Sequence, residues 1–129
     1  MKKKYLIVIA DYYKNISKGL LKSAMLVLPK KSSIKVINVP GVFEIPITIS
    51  KNVKRYDGFL ALGCVIKGQT PHFDFISKAS TDALMKLTVE NKKPIGNGII
   101  TCLNMKQAIA RKKKGGEAAK AVISVFSQK

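Results

Sequence analysis

Apolar residues along this chain fall into two rhythms that alternate from one end to the other. Tyr5-Leu6-Ile7-Val8-Ile9-Ala10 is unbroken, the mark of a strand buried on both faces. From Ile16 to Leu28 the spacing turns helical, with Ile16, Leu20, Leu21, Ala24 and Leu28 on one side. Lys18 and Lys22 take the other side, and Pro29 stops the helix. Ser33–Val39 alternates as a second strand and runs into the turn pair Pro40-Gly41. Phe59–Val65 predicts a third strand, entered through Tyr56-Asp57-Gly58. Pro71–Asn91 predicts a long helix with Ile76, Ala79, Ala83, Leu84 and Leu87 in one stripe. A fourth strand covers Ile99–Leu103, with an earlier start at Ile95 left open. Helices over Met105–Arg111 and Glu117–Phe126 follow, with Gly115-Gly116 between them.

One segment resists local reading. Glu44-Ile45-Pro46-Ile47-Thr48-Ile49 alternates like a strand, but Pro46 is poor inside a central strand and good in the first turn of a helix. A crossover is needed before Phe59, so the helix is expected. Strands alternating with helices imply parallel pairing through right-handed crossovers. The expected architecture is α/β: a three-layer αβα sandwich around a four-stranded parallel sheet, one domain spanning 1–129. Ligands of such sheets bind beyond the carboxyl ends of the strands. That directs attention to Asp11–Tyr13, Gly41–Glu44, Ile66–His72 and the end of the fourth strand.

Composition narrows the classes. The longest apolar runs are strand-sized, far below the ~20 residues of a spanning helix, so no membrane partner is expected. Met-Lys-Lys-Lys before an apolar run has the flavour of a signal peptide. Asp11 follows at once without a small-residue cleavage site, which favours a first buried strand. Cys64 and Cys102 sit in apolar segments without metal-ligand spacing, and read as buried thiols of a protein in a reducing cytoplasm. No metal is expected. The formal charge of +17 points towards polyanions. Yet every basic residue except Arg55 and Arg111 is lysine, the cations are spread along the chain, and no nucleic-acid motif stands out. A solvated lysine-rich surface with no specific nucleic-acid partner is the expectation.

Candidate chemistry concentrates in Gly63–Asp74. There an apolar strand ends in a glycine turn, and a helix opens on Thr70-Pro71. A fresh helix terminus carries unpaired N–H groups and attracts anions. Thr70 is the expected N-cap and Pro71 the first helical residue, leaving Gln69 and Thr70 as donors to a phosphate. His72, the only histidine, moves protons near neutral pH. Glu44 either favours a helix dipole or accepts hydrogen bonds from a polyhydroxylated ligand. Tyr12 and Tyr13 either stack on a planar ring or cover the sheet edge.

An ordered set of motifs then resembles a known family. Val39-Pro40-Gly41-Val42-Phe43-Glu44-Ile45-Pro46, Tyr56-Asp57-Gly58 and Leu62-Gly63-Cys64-Val65-Ile66-Lys67-Gly68-Gln69-Thr70-Pro71-His72-Phe73-Asp74 are similar to segments of the 6,7-dimethyl-8-ribityllumazine synthases. So are Pro94-Ile95-Gly96-Asn97-Gly98-Ile99-Ile100-Thr101, Gln107–Arg111 and Lys114–Ala119. The match spans nearly the whole chain, and the expected sandwich is of the flavodoxin-like type.

The resemblance implies condensation of 5-amino-6-(D-ribitylamino)uracil with 3,4-dihydroxy-2-butanone 4-phosphate, the penultimate step of riboflavin biosynthesis. It implies no cofactor, and a homo-oligomer with active sites between subunits, a pentamer being favoured over a larger assembly. Riboflavin synthase is an implied partner. By position, Tyr12 stands for the aromatic residue that stacks on the pyrimidine, and Val42, Phe43 and Glu44 meet the ribityl chain. Cys64, Val65 and Ile66 line the pyrimidine pocket through backbone groups, Gln69 and Thr70 hold the phosphate, and His72 shuttles protons. Arg111 reaches the phosphate from the adjacent subunit, with Asn97 and Lys114 completing the site from the same neighbour. Asp11, Asn97 and the short connection from Arg111 to Lys114 depart from the family pattern. A shell-forming protein without catalysis and a basic nucleic-acid-binding domain are the rival classes.

Overall fold

The apolar runs pair as the crossovers require. The computed structural model describes residues 2–128, so Met1 and Lys129 of the span 1–129 lie outside the described residues. Strand β1 (Lys4–Ala10) lies between β2 (Ser33–Val39) and β3 (Gly58–Ile66), and β4 (Ile95–Cys102) pairs with β3. All three pairings are parallel, giving the order β2-β1-β3-β4 of a flavodoxin-like sheet. Helices α1 (Lys14–Val27), α4 (Met105–Ala110) and α5 (Lys114–Phe126) supply one layer. Helices α2 (Ile45–Asn52) and α3 (His72–Asn91) supply the other.

The period-two geometry of β1 divides its unbroken apolar run between two cores. Tyr5, Ile7 and Ile9 face α1 and α5 with Leu60 and Leu62, while Leu6, Val8 and Ala10 face α2 and α3 with Phe59 and Ala61. Fully buried side chains of this size contribute about 1.5–3 kcal/mol each, which is why the two central strands carry almost no polar residue. The strands occupy their expected segments, and β4 takes the earlier of its two starts, at Ile95. Among the described residues no helix is long and apolar enough to cross a membrane.

Pro46 settles on the helical side: Val42–Glu44 forms a 3-10 turn that passes into α2, with Pro46 in its first turn. Two expectations need correction. Gly115-Gly116 does not separate helices but belongs to the first turn of α5. A Cβ on Gly115 would overlap the Leu20 carbonyl, and the Gly116 N–H donates to Ser23 Oγ at 2.8 Å. The glycines therefore let α5 lie directly on the backbone of α1, a tertiary demand that outweighs their poor helix propensity. The second correction concerns α3, which starts one residue later than expected. Pro71 occupies the cap position, its carbonyl accepting from Phe75 N–H at 3.2 Å. Thr70 contributes a long bond from one step further out, its Oγ1 accepting from His72 N–H at 3.4 Å.

Gly115→Ala is expected to lower unfolding stability by about 1–3 kcal/mol, because the added methyl meets backbone that cannot rotate away. Gly68→Ala meets open space and is expected to be neutral, or stabilising by up to about 1 kcal/mol. Urea denaturation of both variants, compared at equal m-value, checks the pair.

Candidate active site

The order β2-β1-β3-β4 makes the chain leave β1 and β3 for opposite faces of the sheet, so the loops after them part and open a crevice. Register deepens it. Pairing of β3 with β1 ends at Ile9↔Leu62, whereas pairing with β4 continues to Ile66↔Cys102. Cys64, Val65 and Ile66 thus run on past β1 and present their backbone on that side. The end of β1 is itself turned away from β3. Ala10 carbonyl accepts from the buried Ser17 hydroxyl at 2.6 Å, and Asp11 N–H donates to Val39 carbonyl at 3.2 Å. Ser17 was not legible as a site-shaping residue, since a serine on the first turns of a helix carries no signal of a buried partner.

A cleft of about 580 Å³ occupies this crevice. Its walls are Tyr12 and Tyr13 after β1, Gly41 to Glu44 after β2, Cys64 to Ile66 at the end of β3, and His72 and Ile76 of α3. Of the expected site residues, Tyr12, Val42, Phe43, Glu44, Cys64, Val65, Ile66 and His72 meet here. Ile76 was read only as a core position, because its helical stripe looks the same whether it ends in core or in cleft. Tyr12 is 75% exposed at the mouth and stands edge-on to Tyr13, with ring centroids 4.9 Å apart. It therefore offers a free ring face and does not cover a sheet edge. Glu44 is half-buried, and its backbone N–H closes the turn on Gly41 carbonyl. The two ion pairs among the described residues, Lys78–Asp82 and Lys114–Glu117, leave its carboxylate out.

Beside the cleft, the turn after β3 offers donors. Lys67 N–H is bonded to Cys102 carbonyl at 2.9 Å, but Gln69 and Thr70 N–H groups have no partner among the described residues. Both residues are exposed and adjoin the α3 terminus. Deeper in, burial pushes the Cys64 thiol up to about 12, with the neighbouring Cys102 thiol adding to the effect. Burial likewise raises the Tyr13 phenol, helped by Tyr12 and Cys64. Both groups stay neutral at physiological pH, so the cleft floor presents polarity without charge. No cluster of metal-ligating side chains occurs among the described residues.

Asn97, Arg111 and Lys114 do not join the cleft. Asn97 is exposed on the edge strand β4, where its Oδ1 accepts from Ile99 N–H at 3.0 Å. Arg111 closes α4 and donates from Nη1 to the edge carbonyl of Thr101 at 3.2 Å. Lys114 opens α5 with its ammonium 3.9 Å from Glu117. Asn97 and Arg111 lie at the β4 edge, and Lys114 at the start of α5, between neighbours packed on α1.

A family model described as 6,7-dimethyl-8-ribityllumazine synthase matches residues 2–129 of this chain. The chain belongs to that family. The 6,7-dimethyl-8-ribityllumazine synthase of Bartonella tribocorum is 46% identical, over 96% of this chain and 88% of its own length. That of Agrobacterium fabrum is 43% identical, covering 96% and 93%, and that of Zymomonas mobilis 41%, covering 98% and 96%. For a lumazine synthase fold, the cleft at the β1/β3 switch point is the position that open α/β sheets reserve for ligands.

Thiol reactivity checks the description of the cleft floor. At pH 7.5 Cys64 is expected to hold roughly 10³-fold less thiolate than an ordinary cysteine, and to alkylate correspondingly more slowly with iodoacetamide in the native protein than in urea. The same shift means that its contribution to stability is fully present below about pH 9, the ordinary thiol range, and is lost as pH rises towards 12. Mass spectrometry of timed alkylation reads the first effect.

Proposed function

We propose that this chain forms 6,7-dimethyl-8-ribityllumazine by condensing 5-amino-6-(D-ribitylamino)uracil with 3,4-dihydroxy-2-butanone 4-phosphate, with loss of phosphate and water. The observation that carries the proposal is the meeting in one cleft of a free aromatic face, an uncommitted carboxylate, an unpaired strand edge and an anion-type helix start. Each matches one part of the two substrates. Tyr12 stacks on the planar pyrimidine, whose polar edge pairs with the backbone of Cys64, Val65 and Ile66. The ribityl hydroxyls extend along Val42 and Phe43 and donate to Glu44. Gln69 and Thr70 N–H groups receive the phosphate.

The chemistry then needs register and a proton carrier. The amine attacks the ketone carbon and the carbinolamine loses water to give an imine. Removal of the neighbouring C–H proton expels phosphate, the resulting enol becomes a ketone, and the ribityl-bearing nitrogen closes on it with loss of a second water. Holding both partners in line can remove about 7–11 kcal/mol of barrier when the geometry is ideal. General acid–base help from one side chain adds typically ~10²–10⁴-fold. His72, at the cleft and two residues from Thr70, is placed to pass protons between nitrogen and the departing oxygens. An amine–ketone condensation is intrinsically easy, so orientation dominates and His72 contributes at the lower end of that range.

Among the described residues, no lysine or arginine lines this chain's own cleft. Arg111 and Asn97 lie at the β4 edge and Lys114 at the start of α5, all outside the cleft, which supports the reading that a second copy supplies them. Exposed apolar residues support self-association: Phe75, Met85 and Val89 on α3, and Leu103, Met105 and Ile109 around α4. A pentamer is the assembly favoured, in the cytoplasm, where both cysteines remain free thiols, with riboflavin synthase as the enzyme that receives the product.

His72→Ala is expected to lower kcat by about 10–100-fold without abolishing turnover. Arg111→Ala should raise KM for the phosphorylated ketone. Steady-state lumazine absorbance measures both; a dead His72→Ala beside a normal Arg111→Ala would overturn the assignment. Sedimentation velocity should give a species about five times the 14.1 kDa chain mass, and a monomer with full activity would exclude the shared site.

A further inference from the structure

The lysines that look scattered along the chain converge in space. In a parallel sheet every segment that leads into a strand returns to the same pole, opposite the cleft. Each of these segments carries cations: Lys2–Lys4 at β1, Lys30-Lys31 before β2, Lys54-Arg55 before β3 and Lys92-Lys93 before β4. Hydrogen bonds tie the segments together. Ser33 N–H donates to Lys3 carbonyl at 3.0 Å, Asp57 N–H to Lys4 carbonyl at 2.8 Å, and Phe59 N–H to Pro94 carbonyl at 3.0 Å. Lys93 Nζ reaches Val53 carbonyl at 2.7 Å, and Lys3 Nζ lies 4.6 Å from the Phe126 ring centroid at the end of α5.

Among the described residues, Asp57 and Glu90 are the side-chain carboxylates at this pole. Asp57 is already engaged by Lys4 N–H at 2.8 Å, and neither ion pair of the described residues involves a pole cation. The C-termini of α1, α2, α3 and α5 also end here and account for part of the charge. At roughly −0.5 each they offset only about two positive charges. A large positive excess remains, spread across four strands spaced about 4.8 Å apart, so over roughly 15 Å. A nucleic-acid duplex presents about nine phosphate charges along that length.

We infer that this pole is a docking surface for the phosphate backbone of a double-stranded nucleic acid, without base readout. Lysine ammonium groups suit point contacts to phosphate, and the pole lacks the forked donors needed for base edges apart from Arg55. Tyr56, the aromatic residue of these segments, is half-buried and edge-on to Phe59, so single-stranded bases find no stacking platform. None of the exposed large apolar side chains falls in the four segments that carry the cations. Leu26, Val89 and Val125 are exposed near the ends of α1, α3 and α5, so the vesicle arm of the test separates a membrane from a duplex. The surface and the cleft lie at opposite ends of the strands, so docking leaves the cleft open.

Fluorescence anisotropy of a short labelled duplex of arbitrary sequence, over a salt series, tests the inference. The protein should bind with a linear log–log salt dependence. Replacing Lys30, Lys31, Lys54 and Arg55 by Gln should reduce the slope by about 3–4 and weaken binding at least ~10-fold at moderate salt. Replacing Lys18, Lys22, Lys86 and Lys120 by Gln removes the same charge elsewhere and should change the slope by less than about 1. Circular dichroism melts confirm that both variants fold; if the first does not, Lys30→Gln with Lys31→Gln should still cost a slope of about 2. Equal losses in the two sets, no duplex binding at low salt, or binding confined to phosphatidylserine vesicles would each overturn the inference.

Discussion

Everything at the cleft depends on β3 being held on one side for longer than on the other. β4 keeps β3 extended to Ile66, while β1 releases it after Leu62. Backbone groups left unpaired in a protein interior are costly, so such an edge persists only where water or a ligand can reach it. Ser17 contributes by engaging the last β1 carbonyl, which keeps β1 from following β3 outward. The cleft is therefore a consequence of sheet register before it is a consequence of any functional side chain. Tyr12, Glu44 and His72 gain their meaning from hanging over that edge.

Close backbone packing fixes the other half of the arrangement. Gly115 seats α5 against α1, and Gly96 of β4 does the same beneath Ala118, where a Cβ would overlap the Ala118 carbonyl. Ser23 Oγ donates to Lys113 carbonyl at 3.1 Å and accepts from Gly116 N–H, so the short connection after α4 is pinned to α1 as well. With so little chain between Arg111 and Lys114, α4 has no freedom to swing towards the β1/β3 crevice. Arg111 is left on the edge strand, bonded to a carbonyl that the sheet does not use. The shortness of that connection thus bears on where the arginine points.

The strands were legible because β1 and β3 are buried on both faces, and a two-sided core tolerates no polar interruption. Pro46 was legible for a different reason: a central strand and a first helical turn make opposite demands on its missing N–H. Gly115-Gly116 was misread because local propensity knows nothing of a neighbouring helix backbone. Thr70 misled by one residue, since Thr-Pro satisfies two adjacent capping registers almost equally well. The β1, β2 and β3 ends of the cleft could be named from the pattern, whereas Ser17 and Ile76 could not. Their roles depend on what faces them across the layers. The lysines were readable as a composition but not as a surface, because contiguity at the pole exists only after the crossovers return each segment to it.

Parallel topology also explains why the two poles differ electrically. Helices α1, α2 and α3 each start beyond the carboxyl end of one strand and finish before the amino end of the next, and α5 runs in the same sense. Their N–H termini therefore gather around the cleft and their carbonyl termini around the lysines. At the cleft the positive potential comes from backbone dipoles, which are fixed in direction and suit one small phosphate in one orientation. At the far pole the helix ends are negative, and cationic side chains more than reverse the sign. Those side chains are long and mobile, so they follow a repeating array of phosphates better than they grip a single one. Both ends attract anions, the cleft through dipoles of fixed direction and the far pole through flexible side chains.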